Sequence, residues 1–212
     1  MPVEKEISYT LSNSYSTLNE LTKHTQYVWF VCHGMGYLSR YFLKYFDNLD
    51  PEKHYVIAPQ AQSKYYVGTQ YKHVGASWLT KENTKVEIEN VMTYFDAVLE
   101  KENLPSAAKL IVLGYSQGVS VAARYVAKRK LDCHQLVFLS GRVPVELTRE
   151  DFAFLNSTTR VHFIYGDQDQ FLTKELVSKE KAHVDVLFGA NAIIKEFKGK
   201  HEVRKELLES LI

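Results

Sequence analysis

Cysteine is scarce in this chain: Cys32 and Cys133 are the only two among 212 residues. Both lie in or beside apolar runs. The expectation is a pair of buried free thiols in a reducing compartment, which excludes a disulfide framework. A dominant charge is also missing. Lys and Arg number 26 against 25 Asp and Glu, a formal net charge of +1 spread along the chain. That balance argues against nucleic-acid and anionic-membrane partners. No window reaches the roughly 18 consecutive apolar residues of a membrane-spanning helix. The start, Met1-Pro2-Val3-Glu4-Lys5-Glu6, lacks a basic-then-apolar signal pattern, so the cytoplasm is the expected location. Several motifs are absent too. There is no P-loop, no H-E-x-x-H and no clustered Cys/His set, so neither a metal nor another cofactor is expected. Gly34-x-Gly36-x-x-Ser39 lacks a third glycine, and no acidic residue closes the next strand, which weakens a dinucleotide reading.

What is present is ordinary for a globular protein: 45% hydrophobic and 24% charged residues, in a length that suits one α/β domain with a full core. Short continuous apolar runs read as strands covered on both faces. They are Tyr27 to Cys32, His54 to Ala58, Lys109 to Leu113, Gln135 to Leu139, Arg160 to Tyr165 and Ala192 to Phe197. Between them lie segments of helical period. Leu38, Tyr41, Phe42, Tyr45 and Phe46 predict an amphipathic helix over Tyr37 to Asp47. Thr84-Lys85-Val86-Glu87 fits a capping box ahead of the apolar face Ile88, Val91, Met92, Phe95, Val98 and Leu99. Further helices are expected over Val119 to Lys128, Thr173 to Phe188 and around Val203 to Leu211. Residues 4 to 20 alternate weakly about Ser12-Asn13-Ser14 and read as an antiparallel hairpin at a sheet edge. Residues 60 to 79 have no clear period and read as a loop, of a length that is usually functional. The alternation of strand and helix implies a mostly parallel twisted sheet with helices on both faces.

Gly114-Tyr115-Ser116-Gln117-Gly118 stands between a predicted strand and a predicted helix. A serine on so sharp a bend lifts its hydroxyl clear of both elements, and glycines two residues either side avoid a clash with them. The bend also sets Ser116 and Gln117 at a helix N-terminus, where free N–H groups favour negative charge. A bare G-x-S-x-G matches by chance roughly 0.07 times in a chain this long, so the motif needs partners: an acid, then a histidine, at later strand ends. Gly166-Asp167-Gln168-Asp169 follows one later strand and Gly199-Lys200-His201 follows the last. A serine hydroxyl is too weak an acid to attack a carbonyl unaided. An imidazole takes its proton, and a carboxylate orients the imidazole. Two donors must meet the developing oxyanion. The Gln117 N–H is one candidate. The Met35 N–H, in the glycine-flanked turn His33-Gly34-Met35-Gly36, is the other. His33 reads as a turn residue. Trp78 reads equally as core or as a pocket wall. Asp167 and Asp169 compete for the role of the acid.

With these pieces in place, the chain resembles the α/β-hydrolase superfamily, and within it the phospholipase/carboxylesterase group that includes the acyl-protein thioesterases. The matching pieces are His33-Gly34-Met35-Gly36, Ala58-Pro59, Ser77-Trp78, Gly114 to Gly118, Leu139-Ser140-Gly141, Gly166 to Asp169 and Gly199-Lys200-His201-Glu202. The resemblance implies one compact α/β-hydrolase domain over residues 1–212 with minimal or no lid, the loop 60–79 bordering the active site. It implies Ser116 as nucleophile, His201 as base, Asp169 rather than Asp167 as acid, and Met35 and Gln117 as oxyanion donors. Trp78, Phe171 and Leu172 are the candidate substrate contacts. Tyr37, Tyr165 and Phe171 depart from the family's pattern around the pocket, which bears on substrate more than on reaction type. The expected activity is hydrolysis of a small-molecule carboxylic ester or acyl thioester through an acyl-enzyme. An amidase or peptidase on the same fold, and a non-catalytic binding protein, are the alternatives. The oligomeric state is open, a homodimer being one option.

Overall fold

A computed structural model describes residues 2–212. Seven strands form one sheet: β1 (Tyr15–Leu18), β2 (Tyr27–Cys32), β3 (His54–Pro59), β6 (Lys109–Tyr115), β7 (Gln135–Leu139), β8 (Arg160–Gly166) and β9 (Ala192–Phe197). Their order is β1-β3-β2-β6-β7-β8-β9. All neighbours are parallel except β1, which runs antiparallel to β3 with Tyr15 opposite Pro59. Two further strands, β4 (Ser63–Val67) and β5 (His73–Ser77), pair with each other as a separate antiparallel hairpin.

The continuous apolar runs follow from burial on both faces. In β2, Val28, Phe30 and Cys32 point into a layer with α2 (Thr84–Glu102), α3 (Gln117–Arg129) and α4 (Lys174–Phe188). Trp29 and Val31 point the other way, toward α1 (Ser39–Phe42) and α5 (Lys205–Glu209). Successive strand side chains alternate between faces, and both faces are covered, so neither register position is free to be polar. On α2 the predicted face is buried at Ile88, Val91, Met92, Phe95 and Val98. Val203, Leu207, Leu208 and Leu211 of the closing segment are buried as well. Cys32 and Cys133 are free and buried. Among the described residues no helix is long and apolar enough to cross a membrane.

Four local expectations change. The antiparallel edge at the N-terminus is present, but its partner is β3, and residues 4 to 11 form no strand. The helix over Tyr37 to Asp47 contracts to α1 and a 3-10 turn at Leu43–Tyr45. Leu38, Phe42 and Phe46 are buried there, while Tyr41 faces solvent between Arg40 and Lys44, whose cations lie 4.8 and 5.2 Å from its ring centre. No capping box forms at α2. Asn83 precedes the helix in a left-handed conformation, and the Thr84 hydroxyl donates to the Thr80 carbonyl instead, at 2.8 Å. The stretch 60–79 is not a structureless loop but contains the β4–β5 hairpin.

Candidate active site

The polar residues of interest gather at the carboxyl ends of the central parallel strands, where such sheets place their ligands. β6 ends at Tyr115 and α3 begins at Gln117. Ser116 lies between them with φ 53° and ψ −119°, a left-handed conformation that costs an L-residue about 1–3 kcal/mol. The surroundings hold it there. The Ser116 N–H donates to the Leu139 carbonyl of β7 at 2.9 Å. A Cβ on Gly114 would stand 2.5 Å from the Gly118 carbonyl oxygen, and one on Gly118 only 2.0 Å from the Cys32 carbonyl oxygen. No other residue fits at either position.

Two later turns meet this serine. His201 follows β9, and Asp169 follows β8. His201 Nε2 lies 2.8 Å from Ser116 Oγ, and His201 Nδ1 lies 2.7 Å from Asp169 Oδ2. The other carboxylate oxygen accepts the Phe171 and Leu172 N–H groups at 2.8 and 3.3 Å. The Asp169 side chain is wholly inaccessible and that of His201 is 15% exposed. A carboxylate accepts, so Nδ1 carries the imidazole proton and Nε2 turns a lone pair toward the serine hydroxyl. Asp167, the rival acid, faces elsewhere. Its Oδ1 accepts the Gly199 N–H at 2.8 Å. Together with Asp167 N–H to the Phe197 carbonyl and Gln168 N–H to the Gly199 carbonyl, it stitches the aspartate turn to the histidine turn. Tyr115, not singled out from sequence, adds a third support by donating its hydroxyl to the His201 carbonyl at 3.0 Å.

The turn after β2 lies against the turn at Ser116. A Cβ on Gly34 would come within 3.0 Å of the Tyr115 ring and 3.3 Å of Ser116 Cβ, and Gly36 has φ 86°. Neither the Met35 nor the Gln117 N–H donates to another group among the described residues. His33 is wholly buried, and burial lowers its pKa from 6.5 to about 4. It is therefore neutral at pH 7. Nδ1 donates to the Gly34 carbonyl at 2.8 Å, and Nε2 accepts the Ala61 N–H at 3.2 Å. It is a turn residue, as its sequence context suggests.

Of the three candidate substrate contacts, Phe171 alone is exposed, at 61%, with its ring edge-on to His201 at 4.8 Å. Trp78 is 0% exposed. Its ring packs on Phe95 and His33, which settles its equal reading in favour of core. Leu172 is also buried and serves the acid through its backbone. Among the described residues no three His, Cys, Asp or Glu side chains group closely enough to hold a metal.

Comparison with known proteins places this geometry in context. The phospholipase/carboxylesterase family matches residues 13–212. Acyl-protein thioesterase 2 of Zea mays superposes with a TM-score of 0.71 at 16% identity, over 94% of this chain and 96% of that one. Esterase PE8 gives 0.67 at 18% identity, over 95% and 96%. A phospholipase/carboxylesterase of Dyadobacter fermentans gives 0.61 at 16%, over 96% of both chains. At these identities the structural likeness speaks for the fold alone. No curated protein matches the chain.

Proposed function

Because the chain belongs to the phospholipase/carboxylesterase family and is an α/β-hydrolase of the carboxylesterase and thioesterase type, we propose that it cleaves carboxylic esters and acyl thioesters through a Ser116–His201–Asp169 triad. The observation that carries this reading is the unbroken chain of contacts from Asp169 through His201 to Ser116, 2.7 and 2.8 Å long. Ser116 Oγ attacks the acyl carbon while its proton passes to His201 Nε2. The carbonyl electrons move to oxygen, which the Met35 and Gln117 N–H groups stabilise at the N-terminus of α3. The tetrahedral adduct collapses, the C–O or C–S bond breaks, and the leaving alkoxide or thiolate takes the proton from His201. Water then repeats the sequence on the acyl-enzyme, releasing the acid and restoring Ser116. Asp169 holds the imidazole in the Nδ1–H tautomer and stabilises the imidazolium.

The same reading takes the chain as one α/β domain with a minimal lid. Met35, in the turn after β2, and Phe171, against the His201 ring, are 59% and 61% exposed and support an open site. It also takes the β4–β5 hairpin as a border of that site. The test is labelling with a fluorophosphonate probe followed by peptide mapping. A covalent adduct on Ser116 is expected. No adduct, or one elsewhere, sinks the mechanism in favour of a non-catalytic role. A panel of p-nitrophenyl esters, acyl thioesters and amides then separates esterase from amidase chemistry.

A further inference from the structure

The two proposed oxyanion donors sit on different elements. Met35 is in the turn after β2, and Gln117 opens α3. Strand pairing holds β2 to β6 as far as Cys32 opposite Gly114. Beyond that pair, no backbone hydrogen bond joins the two turns among the described residues, although the Tyr37 and Tyr115 rings meet edge to face at 5.8 Å. Their contact at Gly34 and Ser116 is van der Waals only. Such contact limits how close the turns come but does not orient their peptide planes.

A third segment supplies the orientation. On the Met35 side, the Gly36 N–H donates to the Ala76 carbonyl at 2.8 Å, and Trp78 Nε1–H donates to the His33 carbonyl at 2.7 Å. On the other side, the Gln117 side-chain oxygen accepts the Trp78 N–H at 2.9 Å. Its nitrogen donates to the Leu79 carbonyl at 2.8 Å and to Ser77 Oγ at 3.0 Å. The partners fix which way the amide faces, since a backbone N–H needs the oxygen and a backbone carbonyl needs the nitrogen. Residues 76 to 79 therefore reach both turns at once. We propose that Ala76–Leu79, leaving the β4–β5 hairpin, is the strap that sets the spacing of the two oxyanion donors, with the Gln117 side-chain amide as its positioning residue. This rests on the reading of Met35 and Gln117 as those donors. It adds that the second role of Gln117 lies in its side chain, since any residue there offers the same backbone N–H.

Two substitutions cut the strap at opposite ends. Gln117→Met keeps the size and the backbone donor but loses the amide. Trp78→Phe keeps a ring but loses the Nε1–H. For both, kcat on a p-nitrophenyl ester is expected to fall on the order of 10²-fold, as for a misplacement of about 1 Å at a reacting centre. KM should stay within about threefold, because substrate ground-state contacts are untouched. Affinity for a trifluoromethyl ketone, whose adduct carries the oxyanion, should fall in parallel with kcat/KM. Gln117→Glu replaces the amide donor with a carboxylate oxygen facing the Leu79 carbonyl, so its kcat deficit should equal or exceed that of Gln117→Met. If a variant does not fold by circular dichroism, the other two carry the test. Wild type is first labelled with the fluorophosphonate. No label on Ser116 overturns the hydrolase reading and the strap with it. Labelled wild type, with folded variants that keep kcat and ketone affinity while losing thermal stability, overturns the strap alone.

Discussion

The two glycine-flanked turns at the carboxyl ends of β2 and β6 are held in opposite ways. The turn at Ser116 is held by lack of room. Gly114 and Gly118 are pressed against neighbouring backbone, and the strained residue is Ser116 itself. The turn at Met35 is held by partners. Gly36 takes its positive φ in comparatively open space, with the Tyr65 hydroxyl as the nearest neighbour to an added Cβ at 3.7 Å. The turn is tied instead by hydrogen bonds, Gly36 to Ala76 and His33 to Ala61 and Trp78. One turn is rigid through close packing, which relaxes little. The other is only as well placed as the hairpin base beneath it.

The first way to sharpen the contrast is chemical. Ser116→Ala should lower kcat on p-nitrophenyl esters by about 10⁶-fold, as loss of a triad serine does, with the thermal midpoint nearly unchanged because packing and not the hydroxyl shapes the turn. Full activity in this variant breaks the nucleophile assignment. Next comes the pair of aspartates. Asp169→Asn should cost about 10⁴-fold in kcat by favouring the wrong imidazole tautomer. Asp167→Ala removes a stitch between turns and should cost less than about tenfold in kcat, with about 1 kcal/mol of stability lost. Equal losses of kcat at the two positions would erase the distinction drawn from the 2.7 Å contact of Asp169 with His201.

The third test sets the turns directly against each other. Gly118→Ala places a methyl 2.0 Å from the Cys32 carbonyl oxygen. Backbone must move, and a loss of about 3 kcal/mol or more is expected, seen as a lower denaturation midpoint or failure to accumulate folded protein. Gly36→Ala meets open space and should cost only the left-handed penalty, about 1–2 kcal/mol. The reverse order would show that the turns are not held as described.

The same contrast explains what could be read from the sequence. β2, β3, β6, β7 and β8 announce themselves because burial on both faces forces continuous apolar runs. Gly114 to Gly118 is legible because its signature residues are contiguous, although Cys32 and Leu139 help to confine them. The aspartate and histidine turns are legible as polar residues after the right strands, and the family resemblance prefers Asp169 to Asp167, but which carboxylate meets His201 depends on β8 and β9 bringing their turns together. The support of the Met35 turn is invisible for a physical reason. Its partners lie some forty residues downstream, in a hairpin whose strand β4 is exposed along its whole length. With no buried face, nothing selects an alternation, and Lys64-Tyr65-Tyr66-Val67 has none. Gly75 reads as a loop glycine, yet a Cβ there would stand 2.6 Å from the Gly36 carbonyl oxygen. The capping box at Thr84 misled because Thr84 is the first residue inside the helix and Asn83 occupies the cap position, while the Thr84 hydroxyl donates to the Thr80 carbonyl.

The smallest effect concerns protons. The Met35 turn contains a buried imidazole, and the residues from Gly114 to Gly118 contain none. His33 has its pKa lowered from 6.5 to about 4 by burial, opposed by its bond to the Gly34 carbonyl. Above pH 6.5 it is neutral folded and unfolded alike, and its contribution to stability is complete. Between pH 6.5 and about 4 the unfolded chain binds a proton that the folded chain refuses, so stability falls as pH falls, by up to about 1.4 kcal/mol per pH unit. His162, lowered to about 4 mainly by burial, acts with the same sign, and its Nε2 has no partner among the described residues. His162→Leu should therefore soften the acid loss while leaving the midpoint at pH 8 nearly in place, and what persists between pH 6.5 and 5 includes the share of His33. NMR of the imidazoles reads that share directly. His33 should stay neutral down to pH 5 with its proton on Nδ1, the tautomer that its bonds to the Gly34 carbonyl and the Ala61 N–H require. If it titrates near 6.5, the imidazole is not locked between those partners, and the turn at Met35 is not tied to the base of the hairpin as the hydrogen bonds indicate.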